Sequence, residues 1–395
     1  MFTPITQLLQ KNRRKKIVFI ILCFSLLSFY PIYKNFYNGR AITTYERHIA
    51  LINGRSEFYN PWQYRMLSPM IIEGLMWAYN HTIDKVYPIE EKFHFHLDDT
   101  SGQTAETKEL TEFLQTKGAI KYMVVFLFYR FCLNFLVFTL AYCLWRYFVR
   151  NNWLIFFGLM FVSLAMGNGV IASDLTFNTY TDNVFYLLAA CIIVYKKNPA
   201  WLLLLIVPAA FNRETSMLIP FLFFISQMDF SGFTLRPLNL RTIRWPATRI
   251  WALTAGLYVL FFTVFASLRI HYGLRPPQVF KVPTGLPMIK LNLLSPVALK
   301  CYFELLGVFS VLPLIILYKW KSFPLLLRVW FLGIVPVWFA VHAYSVVIYQ
   351  TRLFLVPTIM IMLPMMLWLI EKEAGKIARG ELNDASQATL RPLAK

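Results

Sequence analysis

The residues capable of chemistry in this 395-residue chain are few and unevenly placed. Glu46-Arg47-His48 follows the first apolar segment, and Asn60-Pro61-Trp62-Gln63-Tyr64-Arg65 leads into another. Asp174 and Asp182 flank a later turn, and Asn212-Arg213-Glu214-Thr215 interrupts an otherwise apolar stretch. Arg269, His271 and Arg275 open a proline-rich segment, and His342 and Tyr349-Gln350-Thr351-Arg352 complete the set. An arginine fork gives bidentate bonds to phosphate oxygens and keeps its charge when partly desolvated. A carboxylate beside it can take a proton from an acceptor hydroxyl while the cations stabilise a departing phosphate. Together these types suit a reaction on a phosphate-bearing lipid, with Glu46, Asp182 and Asp174 as candidate bases and Arg213, Arg65, Arg352 and Arg269 as phosphate binders. Glu214, Asn212, Tyr64 and His271 support them.

Each residue also has a purely structural reading. Glu46 can pair with Arg47 or Arg40 in a wet loop, and Arg65 can anchor an interface beside Trp62 and Tyr64. Asp174 and Asp182 sit near helix boundaries, where short acids cap. Arg213 and Glu214 can pair with one another, and so can Arg130 and Glu304 from two apolar helices. His94, His96, Asp98 and Asp99 have metal-ligand types in a soft polar segment whose spacing matches no closed site. Asn80-His81-Thr82 is a glycosylation sequon.

The elements that position these residues follow from composition. The chain is 57% hydrophobic and only 15% charged, with 36 Phe, 21 Tyr and 11 Trp; its mean hydropathy is +0.51. That much apolar surface has to meet lipid, and soluble globular, disordered and disulfide-framed classes are excluded. The five cysteines (Cys23, Cys132, Cys143, Cys191, Cys301) all fall in apolar segments and read as small core hydrophobes. Apolar spans are expected at about 17–33, 119–144, 153–171, 183–195, 250–270, 299–318, 325–345 and 353–370, near the ~20 residues a crossing helix needs. The stretch 201–226, broken by Asn212–Thr215, reads as a hairpin of two short helices. The fold class is thus an all-α, polytopic transmembrane helical bundle of about ten segments, a single membrane domain over 1–395. Residues 34–118 form a long first external loop with an interfacial helix over 66–79. The Pro-rich 271–298 loop should be ordered but non-helical.

The formal charge of +19 encodes topology rather than nucleic-acid binding. With the hairpin counted as two passes, one side holds 21 Lys/Arg against 5 acids, leaving 18 bases and 15 acids elsewhere. The positive-inside rule then puts both termini and the 371–395 tail in the cytoplasm. Lys11–Lys16 ahead of Ile17, with no small-residue cleavage site after the run, reads as a signal anchor.

In this arrangement the chain resembles the GT-C type of multi-pass membrane glycosyltransferases. The likeness lies in the cytoplasmic N-terminus, the long first external loop with an acid and interfacial helices, the short paired helices midway and the later external arginines. The resemblance implies a polyprenyl-phosphate sugar donor, a glycan, lipid or protein acceptor, and an acidic base in the first loop, which maps onto Glu46. It implies transfer at the extracytoplasmic face, here of a bacterial inner membrane. The pattern departs from the family in lacking an adjacent acidic pair or Asp-x-Asp after the first helix and a large soluble C-terminal domain. No metal ligands are assigned, and a divalent cation is the one cofactor left open. A lipid-linked glycan polymerase and a flippase are the alternatives, and an envelope scaffold is a third. No Walker A or Gly-rich nucleotide motif occurs.

Overall fold

The computed structural model describes residues 13–37, 40–92, 109, 112–172, 176–230, 232, 242–277 and 282–379. Regular structure among them is helical, apart from one antiparallel bridge between Asp229 and Arg244. The helices used below are α1 (Arg13–Tyr37), α2 (Arg40–Ile52), α3 (Leu67–His81), α4 (Ala119–Phe148), α5 (Asn152–Ala172), α6 (Thr176–Val194), α7 (Trp201–Asn212) and α8 (Leu218–Ser226). They continue with α9 (Thr248–Tyr272), α10 (Leu286–Leu294), α11 (Pro296–Phe309), α12 (Leu312–Tyr318), α13 (Leu325–Ser345) and α14 (Leu363–Ala378).

Seven helices among the described residues are long and apolar enough to cross a membrane, and α10 with α11 makes an eighth candidate bent by 71°. The long apolar helices make this an integral membrane protein. On α1, Ile17, Val18, Ile21, Leu22, Leu26 and Phe29 are exposed, as a helix facing hydrocarbon requires. Its other side packs on α5 and α4, where Ser163 Oγ donates to Leu27 O and Asn134 Nδ2 donates to Ser28 O. The core runs through α4, α5, α6 and the segment Thr351–Ala378, with Trp145 Nε1 bonded to Ile359 O in a π turn, Thr358–Met362. All five cysteines are free thiols, and all are at least partly buried.

The expected hairpin is present as two short helices, α7 and α8, joined by a 3₁₀ turn over Glu214–Met217. Three features differ from the sequence expectation. The 271–298 segment is partly helical, because Pro287 and Pro296 each fall in the first turn of a helix, where a missing N–H costs nothing. The 299–318 span is divided between α11 and α12, with Ser310 between them at φ 49. Residues 40–52, expected as wet loop, form the amphipathic helix α2. Most of the acidic stretch of the first loop, including His94, His96, Asp98 and Asp99, lies outside the described residues, as do Asp174 and the tail from residue 380.

The two ends of the bundle are chemically distinct. At one end Glu371 accepts from the backbone N–H groups of Arg150 and Asn151, and Tyr195, just past α6, donates to Cys143 O. The other end gathers α2, α3, the start of α6, the hairpin tip, the end of α9 and the α13–Thr351 connection. Its contacts bring the candidate residues together.

Candidate functional site

Arg213 is the first residue past α7 and takes an extended backbone conformation, which ends the helix and turns its side chain into the bundle. Its guanidinium is 7% exposed and lies 3.8 Å from Asp182 Oδ2, and Asp182 is 0% exposed. Asp182 also accepts a 2.7 Å hydrogen bond from Thr215 Oγ1. The next residue, Glu214, turns the other way. Its Oε2 accepts from Arg65 Nη2 at 2.9 Å and Nε at 3.2 Å, and its Oε1 lies 3.7 Å from Arg269 Nη2. The two adjacent charges at the hairpin tip are therefore not partners of each other.

Local structure holds each member. Asp182 lies in the second turn of α6, because that helix starts at Thr176, and so it is no cap. Tyr186, one turn further, donates to Thr215 O, and Asn212 Nδ2 donates to Asn178 O at 2.9 Å. The tip is thus stitched to α6 at three points. Arg65 follows the segment Tyr59–Tyr64, whose Tyr59 and Tyr64 hydroxyls donate to Tyr272 O and Gly273 O. Asn60, in a cis peptide with Pro61, donates to Arg275 O. Arg269 lies over the rings of Phe265 and Tyr64, and Arg275 over that of Tyr59. Aromatic faces hold these guanidiniums in place while leaving their N–H edges available.

The remaining candidates are distributed around this centre. Arg352 is buried, bonds Gln350 Oε1 at 2.9 Å and reaches Thr179 Oγ1 at 3.4 Å, three residues before Asp182. Gly169 on α5 admits it, since a Cβ there would stand 3.3 Å from Arg352 Cβ. His342 is buried against Trp338, within electrostatic reach of Arg213, Arg65 and Arg352. His271 is exposed at the end of α9, with its ring edge-on to Tyr272.

Glu46 stands apart. The buried stripe of α2 is Ala41, Thr44, His48 and Leu51, and Glu46 lies two residues from both Thr44 and His48, on the opposite side of the helix. It is exposed and forms no hydrogen bond or ion pair with a described residue. Arg47 pairs instead with Glu57 at 3.0 Å. Nor do Arg130 and Glu304 pair: Arg130 is buried over the Phe177 ring, and Glu304 is exposed on α11. Among the described residues, no three His, Cys, Asp or Glu side chains gather to hold a metal.

Sequence reasoning missed Asn178 and Tyr186, and took Thr215 only as part of the Asn212–Thr215 break. The signal for Asn178 was the polar run Asn178-Thr179-Tyr180-Thr181-Asp182-Asn183 inside an apolar helix, where intramembrane polar side chains need partners. Four buried polar atoms here lack a hydrogen-bond partner among the described residues: Asp182 Oδ1, Asn183 Oδ1, Asn212 Oδ1 and Arg213 Nε. Buried polar atoms are nearly always bonded, so this concentration marks a place built for something other than packing. Taken together, Arg65, Arg213 and Arg269 exceed Asp182 and Glu214 by one positive charge, in surroundings where charge is costly. The arrangement can hold an anion beside a carboxylate. Comparison of the chain with protein-family models, with curated proteins and with solved structures returns no match.

Proposed function

We propose that this protein is an integral membrane glycosyltransferase of GT-C type that moves a sugar from a polyprenyl-phosphate donor to an acceptor hydroxyl at the extracytoplasmic face of a bacterial inner membrane. The observation that carries the reading is the buried Arg213–Asp182 contact, with unused hydrogen-bonding capacity on both side chains. Arg213, with Arg65 and Arg269, holds the donor phosphate. Asp182 takes the place expected of Glu46, because it is the carboxylate that lies beside the arginines. In the transfer step the acceptor oxygen forms a bond to the sugar's anomeric carbon as its proton passes to Asp182. The bond from that carbon to the phosphate oxygen breaks, and polyprenyl phosphate leaves with the electron pair. The guanidiniums stabilise the charge that grows on it.

A flippase would use charges along a path through the whole bilayer, whereas the pairs involving Arg65, Asp182, Arg213, Glu214 and Arg269 gather at one end of the bundle. The deciding experiment is sugar transfer in proteoliposomes from a panel of polyprenyl-phosphate sugars. Loss of transfer in Asp182→Asn with retained donor binding supports the assignment. Near wild-type turnover in a folded Asp182→Asn protein removes it.

A further inference from the structure

Arg65 and Arg269 come from segments far apart in the chain, and like charges held close repel unless an anion lies between them. Glu214 supplies that anion. One of its oxygens takes two N–H groups from Arg65, and the other faces Arg269 at 3.7 Å, so the carboxylate bridges two guanidiniums through two oxygens. A phosphate group bridges arginine forks in the same way, with more oxygens and more charge. Arg213 immediately precedes Glu214 in the chain, and its charge bears on Arg65, so an anion between Arg65 and Arg269 meets its field as well. Access favours exchange: the Glu214 side chain is 28% exposed, whereas those of Arg65 and Arg269 are 14% exposed. Glu214 also sits on a short 3₁₀ turn, where a change of rotamer disturbs no long helix.

We infer that the Glu214 carboxylate occupies the phosphate position of an Arg65–Arg269 clamp and is displaced when a phosphate-bearing ligand binds. The inference rests on the proposed donor site and adds its resting state. The clamp is preassembled and self-blocked, and ligand entry exchanges one anion for another, so the arginines are never left facing each other bare.

The test is equilibrium binding of farnesyl phosphate and of inorganic phosphate to the full-length protein in detergent, comparing wild type with E214Q. The amide keeps a carbonyl oxygen for Arg65 but removes the competing charge. Affinity for farnesyl phosphate should rise on the order of tenfold or more, as expected for lifting a like charge from a partly buried anion site. A matching gain with inorganic phosphate shows that the clamp reads phosphate from either source, and a gain confined to farnesyl phosphate identifies the lipid headgroup. Unchanged or weakened binding in E214Q means that Glu214 only props the arginines apart, and overturns the inference alone. No binding of farnesyl phosphate to either protein overturns the donor site along with it. Should E214Q not fold, E214D is the second variant. It retains the charge but draws it back by one methylene, and must bind farnesyl phosphate more tightly than wild type for the inference to stand.

Discussion

Arg65 and Glu214 meet across 149 residues of sequence, with both Nε and Nη2 of the arginine on a single carboxylate oxygen. The contact joins the end of the first loop to the tip of the hairpin. It should register as coupling in a double-mutant cycle of Arg65→Gln and Glu214→Gln, read by thermal unfolding in detergent. Partly desolvated, multiply bonded pairs give roughly 1–3 kcal/mol, well above an exposed pair. Additive effects would show that the pair is incidental to the fold.

The two members of the proposed reaction centre should fail in different ways. Asp182→Asn preserves shape and the bond from Thr215 but abolishes proton acceptance, so transfer should fall by roughly 10²–10⁴-fold with donor binding kept. Arg213→Lys keeps a charge but not a planar fork, so donor affinity should fall together with rate. Glu46→Gln should give the smaller loss of the three, consistent with its exposed position on α2. A loss for Glu46→Gln matching that of Asp182→Asn would return the base to the first loop.

Much of this was legible in the sequence. Asn212-Arg213-Glu214-Thr215 in the middle of an apolar run announced a break, since charge at that depth demands one. The identity of the partners was not legible, because adjacency made Arg213 and Glu214 look like each other's counter-ion, whereas an extended residue followed by a 3₁₀ turn sends them apart. The exposed side of Glu46 was within reach, for Ala41, Thr44, His48 and Leu51 repeat at helical spacing. It was hidden by treating the segment as loop. The helix α10 was hidden because Pro287 and Pro296 signal loop and helix start equally well.

His48 supplies a pH dependence outside the crossing helices. Its Nε2 lies 2.9 Å from Glu73 Oε1, which also accepts from Tyr122. Burial pushes its pKa below the ordinary 6.5, with Glu73 pulling the other way. The unfolded chain therefore takes up a proton that the folded one resists, and stability falls as pH drops from about 6.5 toward the lower folded value. Thermal unfolding of wild type and His48→Gln between pH 7.5 and 5 should show a steeper acid-side decline in wild type. Parallel curves would assign the decline to other groups.

Close packing of α1 on α5 depends on Gly167. A Cβ there would stand 2.2 Å from a ring carbon of Tyr30, so Gly167→Ala has to displace a whole ring. A loss of about 1–3 kcal/mol is expected, with Tyr30→Ala restoring part of it. An unchanged melting temperature for Gly167→Ala would show that the two helices separate readily.

Topology is open to labelling in intact cells. Cysteines placed at Glu57, in the exposed segment after α2, should react with an impermeant reagent from outside, and cysteines at Lys196 only after permeabilisation. The reverse pattern would put the arginine cluster on the cytoplasmic side.

The clamp between Tyr59–Arg65 and the end of α9 also sets an order of events during synthesis. Arg65 emerges first, Glu214 next, and Arg269 a further 55 residues after Glu214 by numbering. At the ~5–20 residues per second of translation, that gap lasts on the order of 3 to 11 seconds. Throughout it the hairpin tip lacks the cation-bearing end of α9, and the hydroxyls of Tyr59 and Tyr64 lack the carbonyls they hold in the folded chain. A ribosome stalled before residue 269 would therefore present an inserted chain whose first half is threaded but whose arginine cluster is still one member short.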